Sequence, residues 1–370
     1  MRVLMTGGGT AGHVNPAIAI ANTIKKYEPD AEIVFVSSNL TKDKARDLVP
    51  RAGYKLLGVD ICGRYQLWNP MNIRTLALMV ISRGQARKII KEFKPDLIIG
   101  TGGFACYPLL NAGADMGIPT MAHESNAIVG KAIKRLAGKL DSIMTNFEST
   151  KKSIVGAKRV VRVGNPSVFV PKSKDEVELE GNFARRVLSF GGSGGAETLN
   201  DGMLEVIKAL ATKYPDTEFR HATGKRDRDR ISALFESAGL LSLPNVKLLE
   251  YIYDMNDRMA AADIVISRAG AMSISELSLS GKASILVPSP TVAENHQFKN
   301  AKPIADAKAC LMVEEKEFSS GALCDAVESL LLDEKMREQM GKSFKAFAEP
   351  EANEKIYDEI KFILSERKKI

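Results

Sequence analysis

One local pattern occurs near the start of each half of this 370-residue chain: a short apolar run, a glycine-rich turn and a helix-forming stretch. In the first half, VLM at residues 3–5 precedes GGGTAGH at 7–13, and in the second, VLSF at 187–190 precedes GGSGGA at 191–196. A buried strand that turns on glycines into a helix is the building unit of parallel α/β sheets. The repetition predicts an α/β protein with two doubly wound, Rossmann-like domains, since a chain of this length exceeds one ordinary core.

A second matched pair of segments supports this organisation and brackets the domain boundary. DLII at 96–99 leads into GTGG, and DIVI at 263–266 leads into SRAG, each followed by a helix and another apolar strand. Between the halves, an Asn-Pro pair at 165–166 interrupts regular structure, and the charged stretch 171–180 resembles a solvated linker. We therefore expect domains at 1–164 and 165–350 that face each other across a cleft at the carboxyl ends of their strands. A final helix at about 351–370 is expected to pack back on the first domain.

Composition and charge limit the function classes. No signal-peptide pattern and no apolar window near the ~18 residues of a membrane span occurs, so we expect a cytoplasmic protein that can reach a membrane only from outside the bilayer. The four cysteines are scattered without a CxxC pair, which argues against structural zinc or a disulfide framework. Residues 1–164 hold 24 Lys and Arg against 12 Asp and Glu, whereas 165–370 hold 28 against 33. This basic first half predicts an anionic partner: a membrane surface, a nucleic acid or a phosphorylated substrate.

The loop at residues 7–13 carries the main catalytic candidate. Its glycines let backbone N–H groups approach an anion or a sugar, and the helix N-terminus that follows favours negative charge. His13 ends the loop, where a titratable side chain is unusual in a tight turn, so we interpret it as functional rather than structural. The second strand ends VSSN at 36–39 and lacks the carboxylate that NAD-binding domains place there, which disfavours a dehydrogenase.

Other strand-end loops carry further candidates. The second glycine loop offers the hydroxyl of Ser193 to a phosphate, while Glu276, in SISE at 273–276, fits either a helix cap or an acceptor for both hydroxyls of a ribose. HESN at 123–126 and ENHQ at 294–297 also follow buried strands, where functional residues concentrate. The DRD at 227–229 matches a metal-binding Asp-x-Asp, but it lies in an alternating charge run, so a solvated helix start is favoured.

The stretch 67–88 mixes large apolar residues with cations and contains the single tryptophan. A core helix with a basic outer face and an interfacial membrane contact both fit this pattern. In the membrane interpretation, the residues that contact lipid are Trp68, Met71, Leu76 and Met79.

Seven segments, taken in order, resemble one family along nearly the whole chain: GGGTAGHVNPAIAIA, GTGGFACYP, HESNAIVGKAIKRLA, VGNP, GGSGGA, SRAGAMSISELSLSGKASILVPSP and ENHQFKNA. The chain resembles the MurG family of peptidoglycan glycosyltransferases, which add N-acetylglucosamine to undecaprenyl-diphospho-muramoyl-pentapeptide. The resemblance implies the two-domain GT-B fold, UDP-N-acetylglucosamine as donor and this lipid-linked acceptor, with inversion at the anomeric carbon. It also implies a peripheral position on an anionic membrane surface at the cytoplasmic face, with no nucleic-acid partner, no cofactor and no catalytic metal.

The resemblance assigns expected roles to residues of this chain. The donor would bind mainly in the second domain, with the uracil at the backbone of Ile252, the nucleotide or diphosphate at Ser193, and the sugar hydroxyls at Gln297 beside His296. The segment that would hold diphosphate and ribose is Ala271, Met272, Ser273, Ile274, Ser275 and Glu276. The first-domain residues that would close over the donor sugar are Thr10, Ala11, Gly12 and Asn126. His13 would be the general base, with His123 and Glu124 as the next candidates.

The chain departs from the family pattern at three positions. Val168 stands where the family usually has an arginine for the donor diphosphate. Either a nearby cation such as Arg268 replaces it, or diphosphate binding relies more on backbone N–H groups and a helix end. Gly194 replaces a usual glutamine, and Ala11 replaces a common glycine. Two alternatives remain: a UDP-N-acetylglucosamine 2-epimerase of the same fold, and a basic nucleic-acid-binding protein. The latter would require aromatic residues among its cations, and aromatic residues make up only 6% of the chain.

Overall fold

A computed structural model describes residues 1–62, 71–192 and 194–367, with the backbone alone for 71–76. The chain divides into two compact units, one of Met1–Val168 with Glu349–Ile370 and the other of Phe169–Ala348. Each unit contains one sheet whose strands are all parallel, and helices alternate with the strands along the chain. The prediction of two Rossmann-like α/β domains is therefore confirmed.

The first unit is built on a seven-stranded sheet of order β3-β2-β1-β4-β5-β6-β7. Its strands are β1 (Arg2–Thr6), β2 (Glu32–Ser38), β3 (Lys55–Val59), β4 (Leu97–Gly100), β5 (Thr120–Glu124), β6 (Ser142–Thr145) and β7 (Val160–Arg162). The helices between them are α1 (Ala11–Tyr27), α2 (Ala45–Arg51), α3 (Met71–Phe93), α4 (Cys106–Asp115), α5 (Lys131–Leu136) and α6 (Glu148–Ser153).

Alternate residues of the first strands supply two different cores. Val3 and Met5 belong to one apolar cluster with α1, whereas Leu4 belongs to another with α4, and all three side chains are fully buried. A strand covered on both faces must be apolar at every position, which is why VLM reads as a continuous run rather than an alternation. The position of the glycine loop after β1 therefore depends on both helical layers.

The second unit is built on a six-stranded sheet of order β10-β9-β8-β11-β12-β13. Its strands are β8 (Arg185–Phe190), β9 (Thr217–Ala222), β10 (Val246–Leu249), β11 (Ile264–Ser267), β12 (Ala283–Leu286) and β13 (Leu311–Met312). Its helices are α7 (Glu197–Leu210), α8 (Arg228–Ser237), α9 (Met255–Ala261), α10 (Ala271–Ser280), α11 (His296–Asp306), α12 (Ala322–Leu332) and α13 (Glu334–Lys345).

The last helix, α14 (Ala352–Arg367), belongs to the first unit although about 180 residues of the second unit separate it from β7. The buried carboxylate of Glu359 accepts hydrogen bonds from Ser142 Oγ at 2.5 Å and from both Nε and a terminal nitrogen of Arg159 at 2.7 and 3.0 Å. The ring of Tyr357 stacks on Tyr27 of α1 with centroids 4.4 Å apart. These contacts attach the final helix to the first unit, although it follows the second unit in the sequence.

Each sheet reverses its strand order beside the strand that opens the repeated pattern. In the first unit this switch lies between β1 and β4, and in the second between β8 and β11. Ligands of open parallel sheets bind beyond the carboxyl ends of the strands at such a switch. The two glycine loops follow β1 and β8, so both occupy ligand-binding positions of their own sheet.

No helix within the residues that the structure describes has the length and apolarity needed to cross a bilayer.

Candidate active site

The first glycine loop packs so closely that side chains would not fit. A Cβ at Gly7 would lie 2.2 Å from Thr101 Oγ1, and one at Gly8 would lie 2.0 Å from Ser37 Oγ. Gly9 has φ +87°, a conformation that residues with a Cβ adopt rarely, and its N–H donates to Asp43 Oδ1 at 2.9 Å. The glycines therefore seat the loop on the ends of β2 and β4 rather than only easing a turn.

His13 is held by both neighbouring loops. Helix α1 begins at Ala11 with Thr10 as its N-cap, and Thr10 Oγ1 lies 3.2 Å from His13 Nδ1. Thr101 Oγ1, from the loop after β4, donates to the His13 carbonyl oxygen at 2.6 Å. The imidazole edge lies against Gly102, where a Cβ would come within 2.9 Å of His13 Cδ2. The ring remains partly exposed and lies at the switch point, which suits a group that exchanges a proton with a ligand.

The other first-domain candidates occupy different environments. Thr10 and Gly12 are exposed and Ala11 is partly buried, all beside His13. His123 is fully buried, its Nε2 lies 2.8 Å from the Gly164 carbonyl oxygen, and burial lowers its pKa to about 4. This burial argues against His123 as the base, because a substrate hydroxyl cannot reach it.

Glu124 orients the loop that carries Asn126. Its Oε1 accepts from the backbone and side-chain N–H groups of Asn126 at 3.0 and 3.2 Å, and its Oε2 accepts from Gly130 N–H at 2.7 Å. Glu124 itself is 5% exposed. Its geometry suits positioning of the Asn126 amide better than proton transfer, since both oxygens already accept hydrogen bonds from this loop.

The second glycine loop packs against the end of β9. A Cβ at Gly195, which has φ +73°, would lie 2.3 Å from the Thr223 carbonyl oxygen, whereas a Cβ at Gly194 would meet open space. Asn200 of α7 fastens this corner, because its Nδ2 donates to the Thr223 carbonyl oxygen at 3.0 Å. Ser193, the predicted phosphate contact, lies outside the described residues.

Helix α10 points its N-terminus toward the same edge of the second sheet. Gly270 is the N-cap, and the first intrahelical bond runs from Ile274 N–H to the Gly270 carbonyl oxygen. The amide groups of Met272 and Ser273 precede that bond, so they have no acceptor within the helix and can face an anion.

The capping interpretation of Glu276 is wrong, because the helix begins two residues before Ser273 and places Glu276 in its second turn. Burial raises the pKa of Glu276 to about 7. Among the described residues, no hydrogen bond or ion pair to its carboxylate is found. A carboxylate that folding desolvates without a partner is typical of a ligand-binding position, since the ligand can supply the missing donors.

The remaining candidates of the second unit lie in the first turn of α11 and in the loop after β10. Gln297, at the start of α11, accepts from Ser289 N–H at 2.8 Å, and His296 Nδ1 lies 2.9 Å from the Ala293 carbonyl oxygen. Two non-glycine residues with positive φ, at 57° and 52°, precede this helix, a conformation that often marks ligand-binding loops. Ile252, the predicted uracil contact, is buried as a whole residue.

Arg268 does not offer a free cation to a diphosphate. Its guanidinium pairs with Glu315 and donates to the Val287 carbonyl oxygen at 3.3 Å, and its side chain is only 10% exposed. The positive charge that we expected to replace the missing arginine at position 168 is therefore already compensated. Val168 itself is 71% exposed.

The DRD segment begins a helix, as the sequence favoured, but its first aspartate is mostly covered, with 12% of its side chain exposed. Asp227 is the N-cap residue of α8, and its carboxylate binds Arg230 through two hydrogen bonds of 2.7 and 2.9 Å and also accepts from Asn200. These bonds, chiefly those from Arg230, lower the pKa of Asp227. No cluster of metal-binding side chains is found in the described ranges.

Two residues that shape the site carried no clear sequence signal. Asp43 lies between two lysines in a loop whose composition predicts solvent exposure, yet it is 3% exposed beneath the first glycine loop. Thr101 lies in the GTGG segment, which the sequence identified as a glycine loop after a strand without a role for its threonine. The GTGG repeat could have indicated Thr101, since it follows the strand next to β1, but nothing local indicates Asp43.

Two parallel-sheet domains, each with a glycine loop at its switch point, have the architecture of GT-B glycosyltransferases. Comparisons with known proteins agree: the Glycosyltransferase family 28 N-terminal domain matches residues 3–145 and the Glycosyltransferase family 28 C-terminal domain matches residues 186–356. The chain belongs to glycosyltransferase family 28 and, within it, to the MurG family.

Full-length relatives support this membership. Proteins of Acetivibrio thermocellus and Clostridioides difficile, both named UDP-N-acetylglucosamine--N-acetylmuramyl-(pentapeptide) pyrophosphoryl-undecaprenol N-acetylglucosamine transferase, are 37% and 38% identical. The alignments cover 99% of this chain and 99% of the first relative, and 97% and 88% for the second. The crystal structure of Acinetobacter baumannii MurG has the same fold, with a TM-score of 0.79 at 24% identity over 97% of this chain and 99% of that one.

Proposed function

We infer that this protein transfers N-acetylglucosamine from UDP-N-acetylglucosamine to the muramoyl 4-hydroxyl of undecaprenyl-diphospho-muramoyl-pentapeptide, a step of peptidoglycan synthesis. The observation that carries this inference is the full-length similarity to relatives named for this transfer, in a chain that holds a histidine at the switch point of its first sheet. A 2-epimerase could have the same fold, because a shared fold alone does not define a reaction. The names of the full-length relatives favour the transferase.

The second unit is proposed to bind the donor. The N-terminus of α10 would stabilise the diphosphate, Glu276 would accept hydrogen bonds from the ribose hydroxyls, and Gln297 would hold the sugar. Ile252 would contact the uracil through its backbone, with Ser193 near the diphosphate. The first-unit residues proposed to contact the donor sugar are Thr10, Ala11, Gly12 and Asn126. Because Arg268 is paired with Glu315, backbone N–H groups carry most of the diphosphate binding in this proposal.

The reaction needs a base and a site for the leaving group. His13 would accept the proton of the 4-hydroxyl as its oxygen attacks C1 of N-acetylglucosamine from the face opposite UDP. The bond from C1 to the diphosphate oxygen breaks, UDP leaves with the electron pair, and the configuration at C1 inverts. The developing negative charge on UDP would be stabilised by the amides at the start of α10. This scheme uses no cofactor.

Release of UDP tests the proposed function directly. Purified protein supplied with UDP-N-acetylglucosamine should release UDP only when the lipid-linked muramoyl acceptor is present, and the product should carry one additional N-acetylglucosamine. A 2-epimerase would convert the donor without acceptor. Conversion of donor to its 2-epimer, or no acceptor-dependent UDP release, would reject the transferase.

A peripheral position on the cytoplasmic membrane face is proposed from charge and exposure. The first 164 residues carry twice as many cations as anions, and on α3 the apolar side chains of Val80 and Ile81 are 71% and 49% exposed. Met79 is partly buried, the side chains of Met71 and Leu76 are not described, and Trp68 lies outside the described residues. The lipid-linked acceptor and anionic headgroups would meet this face, and no nucleic-acid partner is proposed.

We expect the protein to sediment with anionic vesicles and to dissociate as salt concentration rises. A Val80→Ser, Ile81→Ser double variant should bind these vesicles several-fold more weakly, because burial of two aliphatic side chains in the interface is lost. Leu234 in α8, which is 37% exposed on the second unit, provides the matched control as Leu234→Ser. Equal vesicle binding by the double variant and the wild type would contradict the assignment of this face.

A further inference from the structure

A buried carboxylate lies beneath the first glycine loop. Asp43, in the turn between β2 and α2, is 3% exposed and accepts four hydrogen bonds. Its Oδ1 accepts from the N–H groups of Gly9 and Ala45 at 2.9 and 3.0 Å, and its Oδ2 accepts from Ser37 Oγ and Ser38 N–H at 2.9 and 3.2 Å. Three of these donors are local to the turn, whereas Gly9 lies 34 residues away.

The contact with Gly9 reaches the reacting part of the site. Gly9 adopts φ +87° and is covered by Phe104, whose ring would be 3.2 Å from a Cβ at this position. The next residue is Thr10, the N-cap of α1, whose hydroxyl lies 3.2 Å from His13 Nδ1. Asp43 therefore fixes the residue from which the chain turns into the helix that carries His13.

We propose that Asp43 is a positioning residue for the transfer reaction: its carboxylate holds Gly9 and so sets the orientation of Thr10 and the His13 imidazole. This inference rests on the proposed function of His13 as base. A residue limited to stabilising the turn would bind only Ser37, Ser38 and Ala45, and the bond to Gly9 is the contact that such a role does not require. A carboxylate suits the task because it accepts from two sides at once without offering a competing donor.

The test compares variants of two aspartates from the same segment. In Asp43→Ala all four donors lose their acceptor, whereas in Asp43→Asn one carboxamide oxygen still accepts. Asp47→Ala and Asp47→Asn are matched controls, since Asp47 in α2 is 57% exposed and its carboxylate pairs with Arg51 of the same helix. The readouts are kcat and KM of acceptor-dependent UDP release, UDP affinity, thermal unfolding, and hydrogen exchange of a peptide that covers residues 7–12.

We expect Asp43→Ala to lower kcat by about 10- to 100-fold with little change in UDP affinity, because small misplacements of a catalytic group are costly. Hydrogen exchange in residues 7–12 should accelerate, and Asp43→Asn should fall between Asp43→Ala and the wild type. Both Asp47 variants should match the wild type. If Asp43→Ala does not fold, Asp43→Asn is compared with Asp47→Asn instead. In that comparison kcat should fall at least about threefold in Asp43→Asn and stay unchanged in Asp47→Asn.

Two outcomes would overturn the proposal: a folded Asp43 variant with wild-type kcat, or unchanged hydrogen exchange in residues 7–12. The exchange measurement needs no substrate, so it remains informative if the wild-type protein shows no transferase activity. In that case the proposed function is rejected, but the exchange rates of residues 7–12 still show whether Asp43 stabilises the loop.

Discussion

Replacement of His13 by alanine should lower kcat by at least about 100-fold, the usual contribution of a positioned general base. His13 lies at the switch point: its backbone carbonyl oxygen accepts from Thr101 Oγ1, and its ring Nδ1 lies near Thr10 Oγ1. Loss of the ring removes the proton acceptor without touching the second unit. UDP affinity measured by calorimetry should therefore stay within about twofold of wild type, as expected for a base that acts on the acceptor.

The matched control for His13 lies on the same helix. Lys26, near the C-terminal end of α1, is 68% exposed, and Lys26→Ala should keep full turnover. Comparison of the two variants separates loss of the base from a general effect on α1. An unchanged kcat in His13→Ala would remove this residue from the mechanism.

Replacement of Glu276 by glutamine should weaken binding of UDP-N-acetylglucosamine by about 10- to 100-fold at pH 8, since hydrogen bonds to a charged group contribute about 1.5–3 kcal/mol. The carboxylate is isosteric with the carboxamide, but only the carboxylate accepts from two hydroxyls at once through both oxygens. Calorimetric titration measures this change. Equal affinity in the variant would contradict the ribose assignment.

The raised pKa of Glu276 is also expected to make donor affinity depend on pH. In the proposed site the ribose hydroxyls would donate to the ionised form, and with a pKa of about 7 that form prevails above neutrality. Affinity should thus be full near pH 8 and fall about tenfold by pH 6, because each unit below the pKa costs a factor of about ten. Glu276→Gln should show no such dependence, which separates Glu276 from other titrating groups.

Stability in the absence of ligand should respond in the opposite direction. The folded pKa of about 7 exceeds the ordinary value of 4.5, so between these values the folded protein binds more protons than the unfolded chain. The free energy of unfolding contributed by Glu276 therefore falls as pH rises from 4.5 through 7. Glu276→Gln should therefore raise the melting temperature at pH 8. A raised melting temperature would show that weaker binding of UDP-N-acetylglucosamine by this variant does not arise from misfolding.

Local patterns predicted the fold well because a buried parallel strand and its glycine turn are encoded within about ten consecutive residues. The apolar runs before residues 7 and 191 predicted β1 and β8, which the structure places at Arg2–Thr6 and Arg185–Phe190. The start of α10 was predicted incorrectly. Ser273 and Glu276 have the spacing of a capping box, but Gly270 caps the helix, so the same spacing occurs in the helix interior.

The chemistry of individual side chains was less predictable, because it depends on contacts between distant segments. His13 and His123 were both expected in loops after buried strands, but His123 lies within β5 and is fully buried, with a pKa of about 4. Arg268 appeared available for a diphosphate until its pairing with Glu315, 47 residues away, was seen. Asp43 lies between two lysines in the sequence, and only the folded structure brings its carboxylate under Gly9.

The return of α14 to the first unit has a consequence for biosynthesis. Helix α14 contributes Ile356, Ile360 and Ile363 to an apolar cluster with residues of α1 and β1. Its Glu359 accepts hydrogen bonds from Arg159 and Ser142. Domains usually fold in the order in which the ribosome releases them. Here the first unit cannot complete its core until the whole second unit has been translated, because α14 is made last. Until then the apolar surface that α14 covers stays exposed. The nascent chain is therefore most vulnerable to aggregation and to proteolysis during that interval, and chaperones are expected to bind the surface that α14 finally covers.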